Sequence, residues 1–405
     1  MLKQTYTIRR YSMFGLLYFT QGTIFSYFTA LNALYLLDNG LTMSDVGIFS
    51  FIAMIPFMLK VFLGMASDRY SLFGWGHRRP YMLLGLGIQF VCLLIAPLLD
   101  PSSEFAALVA LAFVLQAGMA LYDTCTDGLA LDTTEEAEQG TVQGVMVGGR
   151  AVGVVIAAAM VGLLADHLGW HSVFWALAAL TLLPVPLVLM AREPAHTRER
   201  EFDWSAFRAF KQRSVLALAG LGFVLFLVIT GANQLVNPFL EDTFNIELSD
   251  AGFTTTLWGL GMVFGSVLAS TLERRVGKRG AVWAGMAISS LAVAGLALIT
   301  VRAVAWPLVA LFGVAYGTYM TVYFSLSMNF TDLRIAATMF AILMAFTNVA
   351  DGAGMAISGV LSDTIGFRVT FVILAALNLL AIPLIPIIFG RRGSSDVVVS
   401  EPAVG

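Results

Sequence analysis

The sequence predicts an all-α integral membrane protein of about twelve transmembrane helices, set out as two pseudo-symmetric bundles of six. Three observations carry that prediction. Of the 405 residues, 58% are hydrophobic and only 12% charged, whereas a soluble domain carries roughly 25% charged residues and has no core able to take up so much apolar surface. The apolar residues fall in runs of about 20, the length needed to cross a hydrocarbon core about 30 Å thick. Short patterns from the first half of the chain return in the second half.

The runs lie at 11–37, 45–66, 80–99, 104–128, 142–165 and 171–191, then at 214–240, 250–272, 280–300, 304–328, 335–361 and 367–389, and are numbered here as spans one to twelve. Lys3, Arg9 and Arg10 precede span one in the manner of a secretory leader. The run behind them continues to Leu37 without a small-residue cleavage site, so it reads as a retained span. The longest polar stretch, 192–213, holds Pro194 and a cluster of charges and divides a first bundle, 1–191, from a second, 214–390. Within that linker Phe202, Trp204, Phe207 and Phe210 are interleaved with Arg208 and Lys211. Such a mixture suits a helix lying at the membrane surface, a solvated linker being the alternative. Residues 391–405 form a terminal tail. Cys92 and Cys125 fall inside spans, which suggests neither a disulfide framework nor a cysteine-rich metal site.

Positive charge resists translocation and collects in cytoplasmic loops. Placing the N-terminus inside puts Lys3, Arg9, Arg10, Arg69, Arg78, Arg79, the 192–213 segment, Arg274, Arg275, Lys278, Arg279, Arg334, Arg391 and Arg392 on one side, with Arg302 and Arg368 opposite. The expected location is a cell membrane of the bacterial inner-membrane kind, with both termini and the tail cytoplasmic. The repeat supports two like halves. Ser44-Asp45-Val46-Gly47 returns as Ser249-Asp250-Ala251-Gly252 and Asp68-Arg69 as Glu273-Arg274, both 205 residues on (45 to 250, 68 to 273). Gly162-Leu163-Leu164-Ala165-Asp166-His167-Leu168-Gly169 returns 197 residues on (166 to 363) as Gly359-Val360-Leu361-Ser362-Asp363-Thr364-Ile365-Gly366. A parallel duplication of six spans about an axis along the membrane normal relates the halves of one large transporter architecture.

The loop after span two, Gly64-Met65-Ala66-Ser67-Asp68-Arg69 followed by Gly76-His77-Arg78-Arg79-Pro80-Tyr81, resembles the G-x-x-x-D-R-x-G-R-R signature of the major facilitator superfamily, stretched by the residues 70–75. Its Arg-Arg-Pro-Tyr ending also looks like the glycoside–cation symporters. Span four and its loop, Asp123-Thr124-Cys125-Thr126-Asp127-Gly128-Leu129-Ala130 leading to Glu135-Glu136-Ala137-Glu138-Gln139-Gly140, together with Tyr18-Phe19-Thr20-Gln21-Gly22 in span one, resemble a narrower group. Those relatives are the AmpG-type muropeptide permeases, the acetyl-CoA transporters and the folate–biopterin transporters. The resemblance implies the major facilitator fold, with spans one, four, seven and ten lining a central cavity. It also implies a cytoplasmic gate at Asp68, Arg69, Arg78 and Arg79, with Glu273 and Arg274 as the counterpart in the second half. The positive-inside pattern is the plainer account of those cations.

Polar positions read independently fall on those same four spans. Gln21, Phe25, Phe28 and Asn32 are spaced along one helical face of span one, and Gln116, Asp123 and Asp127 along one face of span four. Thr230, Asn233, Gln234 and Asn237 cluster in span seven, and Tyr316, Tyr319 and Tyr323 form a stripe in span ten. The tyrosines suit an amphipathic ligand such as a sugar, or serve as packing. Gln21, Asn32, Gln116, Asn233, Gln234, Asn237 and the three tyrosines are thus the candidate substrate-binding residues.

Five charged residues stand inside spans: Lys60, Asp123, Asp127, Arg150 and Asp351. An ionised group at the bilayer centre costs at least about 2.5 kcal/mol, so such residues face the bundle interior and find partners. The expectation is that Asp123 or Asp127 pairs with Arg150 and that a carboxylate of this group exchanges a proton during transport. A purely structural ion pair is the alternative. Arg150 could instead hold an anionic substrate group bidentately. Lys60 could snorkel toward the inner headgroups, and Asp351 is either a second coupling site or an interhelical polar contact.

A net charge of −3 with dispersed basic residues excludes nucleic acid as a partner. His77, His167, His171 and His196 show no metal-ligand spacing, and neither a nucleophile–base set nor a Walker motif is present. The chain therefore reads as no enzyme and needs no cofactor or metal. It reads as a secondary active transporter, a monomeric symporter working by alternating access, that moves a small polar or anionic organic solute with protons or Na⁺. A non-transporting assembly factor and a lipid flippase on the same scaffold are the competing readings.

Overall fold

The computed structural model describes residues 2–72, 74, 76–134, 138–191, 193, 211–329 and 336–390. The surface-helix segment in 194–210, the acidic residues 135–137, Arg334 and the tail lie outside the described residues, as do the side chains of Asp68 and Arg69. The described chain is helical throughout its spans, because a backbone in lipid has only itself to bond with.

In the first half, span one runs Leu2–Ser26, a π-helical turn Tyr27–Leu31, and Asn32–Asp38. Span two is broken into Met43–Met58 and Lys60–Arg69. Pro56, which has no N–H to give, interrupts the ladder ahead of the break at Leu59. Spans three to six are Arg79–Leu98, Phe105–Thr133, Gln139–Leu168 and Trp170–Leu189. In the second half, span seven is Arg213–Phe244, and one continuous run, Leu248–Leu296, turns sharply at Gly277 (φ 70°) to give spans eight and nine. Spans ten to twelve are Arg302–Asn329, Ala336–Ile365 and Phe367–Phe389. The expected runs therefore match the helices to within a few residues, except that the first extends much further toward the N-terminus.

Small residues let membrane helices approach closely. Spans one and five meet this way: a methyl built on Gly22 would lie 2.1 Å from the Arg150 carbonyl oxygen, and one on Gly153 2.1 Å from that of Phe19. Spans seven and eleven do the same in the second half, where a methyl on Gly354 would lie 2.2 Å from the Leu227 carbonyl oxygen. The two cations at the end opposite the termini are both held. Arg302 pairs with Asp250, and Arg368 caps the end of span nine by donating to the carbonyls of Ala297 and Ile299, both at 2.6 Å. Between spans three and four, hydrogen bonds from Ser102 and Ser103 hold the Asp100 carboxyl below the usual carboxylate range.

Gly153→Val should lower the melting temperature of the detergent-solubilised protein, reflecting about 1–3 kcal/mol of overpacking. Gly148→Val, where nothing lies within 4 Å, should leave it unchanged. Equal melting of both variants would refute close packing as the basis of the one–five contact.

Candidate functional site

Four of the five intramembrane charges lie on spans two, four and five, and Asp351 stands apart on span eleven. Asp123 and Asp127, one helical turn apart, both point at span two, where the Lys60 ammonium bonds the Asp123 carboxylate and stands 3.2 Å from Asp127. Span one closes the cluster: the Gln21 amide donates to Asp123 at 2.6 Å and the Tyr18 hydroxyl donates to Asp127. The two carboxylates differ in access, the Asp123 side chain being 3% exposed and that of Asp127 39%. One is a sealed counter-ion and the other has an open face.

This corrects two expectations. The carboxylates are paired by Lys60 and not by Arg150, and Lys60 does not run out to the headgroups. Lys60 starts the second segment of span two, so the break at Leu59 sets its stem toward span four. Arg150 stacks its guanidinium over the Phe25 ring, 4.4 Å from the centroid, an attraction of cation for ring face. Among the described residues it makes no ion pair. Its charge nevertheless acts on Asp123 in the first half and on Asp351 and Tyr316 in the second.

In the second half, the Thr230 hydroxyl donates to Asp351 at 2.5 Å and is hydrogen-bonded to Tyr316. Asn348, on the same helix as Asp351, donates to the Phe57 carbonyl of span two at 3.0 Å and so crosses between halves. The other polar residues of span seven tie helices together: Gln234 donates to the Met355 carbonyl and Asn237 to the Thr255 hydroxyl, each at 2.9 Å. Asn233 lies beside Asn237, Thr254, Thr255 and Trp258. Tyr319 packs on Gly285 of span nine, and Tyr323 on Gly222 and Phe226 of span seven. Of the tyrosine stripe, Tyr316 alone is brought to the charged groups.

Asn32 also leaves the face predicted for it. The π turn inserts one residue into the helix, which rotates everything beyond it by about 100°. Asn32 then lines a cavity of about 20 Å³ inside the first bundle, with Tyr27, Phe28, Leu93 and Leu115, while Gln21 stays on Asp123. Gln116 is buried on span four, two turns from Asp123. Among the gate candidates, Arg78 donates to the Ser67 hydroxyl at 3.0 Å and lies 3.5 Å from Asp132. Arg79 donates to the Leu189 carbonyl at 2.7 Å, and Glu273 accepts from Ser325 at 2.8 Å. Arg274 lies in span eight a few residues before the turn at Gly277.

Sequence reasoning missed Tyr18 and Glu193. Tyr18 stands three residues before Gln21 and shares its face, a spacing that could have found it. The Glu193 carboxylate accepts the successive backbone N–H groups of His77, Arg78 and Arg79 at 2.7, 3.0 and 2.5 Å, an anion nest at the start of span three. Nothing local in the sequence links positions 116 residues apart. Among the described residues, no group of three His, Cys, Asp or Glu side chains is placed to hold a metal ion.

The family model of the Major Facilitator Superfamily matches residues 14–350. The chain is 25% identical over 253 residues to the sialic acid transporter NanX of Escherichia coli, covering 60% of this chain and 58% of that protein. It is 25% identical over 266 residues to the anhydromuropeptide permease of the same organism, covering 63% and 52%. It thus spans only a little over half the length of these curated relatives. The crystal structure of the nucleoside transporter NupG shares the fold, with a TM-score of 0.73 at 13% identity, covering 95% of this chain and 99% of that one.

Lys60→Met should destabilise the protein by about 3–5 kcal/mol, because it leaves the Asp123 charge buried and uncompensated. Adding Asp123→Asn to it should restore most of that loss. Thermal unfolding of the single and double variants checks this, and additive losses would mean that the two groups do not act as a pair.

Proposed function

The chain belongs to the Major Facilitator Superfamily, and we propose that it is a proton-coupled secondary transporter carrying a small organic anion by alternating access. In this reading, residues 1–191 and 214–390 are the two rocking bundles, joined by the cytoplasmic segment 192–213. The Lys and Arg distribution supports placing both termini inside a bacterial inner membrane. Relatives and structural neighbours that are transporters, not enzymes, support the broad activity.

One observation carries the reading: a lysine shared by two carboxylates beside an arginine that, among the described residues, makes no ion pair. Lys60, Asp123 and Asp127 sum to one negative charge, which the charge of Arg150 offsets. When an anionic substrate docks on the Arg150 guanidinium, it takes up that compensating charge. The cluster is then left with an excess negative charge in a low-dielectric setting, and a proton on a carboxylate removes it. The 39% exposed Asp127 is the entry point for that proton, and Lys60 then serves Asp123 alone. The first-bundle cluster, Arg150 and the bound anion are thereby neutral together, which favours passage through an occluded state surrounded by lipid. Asp351, held by Thr230, is the carboxyl group of the second bundle that feels the charge of the same guanidinium. Gln21, Thr230 and Tyr316 are the polar groups we assign to the substrate's remaining atoms.

Two of the related proteins are a sialic acid transporter and an anhydromuropeptide permease, which supports a polar organic solute as the cargo class. Asp123→Asn and Asp127→Asn should each abolish accumulation driven by an imposed pH gradient while leaving substrate counterflow measurable. Arg150→Gln should raise the substrate KM at least about tenfold, the loss of one charge-assisted contact of roughly 1.4 kcal/mol or more. Proton-driven accumulation that survives both carboxylate replacements would end the coupling proposal.

A further inference from the structure

At the ends of the bundles remote from the termini, the two halves are joined by a matched pair of contacts. Asp363, near the end of span eleven, accepts from the backbone N–H groups of Met43 (3.2 Å) and Ser44 (2.6 Å) and from the Ser44 hydroxyl (2.5 Å) at the start of span two. Asp166, near the end of span five, accepts from the backbone N–H of Ser249 (3.0 Å) at the start of span eight. Asp166 and Asp363 are the same position of the internal repeat, and so are Ser44 and Ser249. The first half therefore caps a helix of the second, and the second caps the equivalent helix of the first.

The glycines around these caps obey the same symmetry. A methyl on Gly47 would lie 2.9 Å from the Met355 carbonyl oxygen, and one on its repeat partner Gly252 would lie 2.3 Å from that of Ala158. A methyl on Gly359 would lie 2.2 Å from the Met43 carbonyl oxygen, and one on Gly162 2.8 Å from the Ser249 Cα. Both crossings thus bring backbone against backbone directly beneath the carboxylates.

Electrostatics gives the caps their direction. Each aspartate stands in the last turn of its own helix, just before Gly169 or Gly366, where the helix dipole disfavours negative charge, and it reaches the first turn of a helix in the other half, where the dipole favours it. Parting the bundles would strand both carboxylates at unfavourable helix ends. We propose that Asp166 and Asp363 are the outer gate of the carrier, a reciprocal latch that holds this end shut and must release for the outward-open state. The assignment of this end to the outside rests on the orientation proposed above. Asp363, with three bonds, is the stronger half of the latch.

The test uses the full-length protein with Cys92 and Cys125 replaced by Ala and Met43→Cys added as a reporter, because Met43 is buried in the seam. An impermeant maleimide is applied to intact cells and, separately, to inside-out vesicles. Asp166→Ala with Asp363→Ala should raise the labelling rate in intact cells on the order of fivefold, the scale of a typical coupling between two states, with Asp363→Ala alone giving most of the rise. The Asp→Asn variants keep one acceptor oxygen and the side-chain shape, and should shift labelling the same way by less, which keeps the test decisive if an Ala variant fails to fold. In an otherwise unlatched background, Ser44→Cys with Asp363→Cys should form a disulfide that stops uptake until a reductant is added. A rise seen only in inside-out vesicles would uphold the gate and overturn the orientation. Unchanged labelling from both sides in folded double variants, or uptake unaffected by the disulfide, would overturn the gate.

Discussion

The interaction on which the rest depends is the sharing of the Lys60 ammonium between Asp123 and Asp127 in the middle of an oily bundle. A charge in such a place is tolerated only with a partner, and here one cation serves two anions. The arrangement explains why span one brings Tyr18 and Gln21 to the same spot, and why Asp123 can be sealed while Asp127 is open. Remove the lysine and a buried carboxylate has only hydrogen-bond donors for company. Keep it, and the cluster holds one negative charge too many, which makes it responsive to whatever happens at Arg150.

Most of the architecture was legible in the amino-acid order because lipid leaves few options. A run of about 20 apolar residues in a bilayer is a helix and little else, so the span positions follow from counting. Repeats such as Ser44-Asp45-Val46-Gly47 and Ser249-Asp250-Ala251-Gly252 disclosed the duplication. The identities of the buried ionisable residues were equally plain, since nothing else in a span resembles them.

Their partners were not legible, for a physical reason. Periodicity says which residues share a face of one helix but not which face of which neighbour they meet. Arg150 lies close to Phe25 and its charge reaches Asp123, yet its guanidinium settles on a ring while the flexible lysine stem covers the distance to both carboxylates. Asn32 was misplaced because a π turn is invisible to a 3.6-residue count, and one inserted residue turned its amide into the first bundle. Helical spacing puts Tyr319 and Tyr323 on one face without saying what packs against them. Gly285 and Gly222, far off in sequence, offer those rings their packing sites.

The two ends of the molecule hold charge in different ways, and the difference bears on how a carrier can both close and reopen. In the centre, ion pairs in low dielectric are strong and respond to loss or gain of a single charge. At the end away from the termini, Asp166 and Asp363 bond mainly to backbone N–H groups in contact with water, where each hydrogen bond exchanges for one to solvent at small net cost. Closure there is set by four glycines and two carboxylates whose geometry is right only when the bundles touch. Reopening then requires no large rearrangement within either half, only the surrender of contacts that water can replace. In the proposed transport cycle, a central site sensitive to charge and a seam held by contacts that water can replace are complementary: the first sets when the halves would move, and the second lets them part.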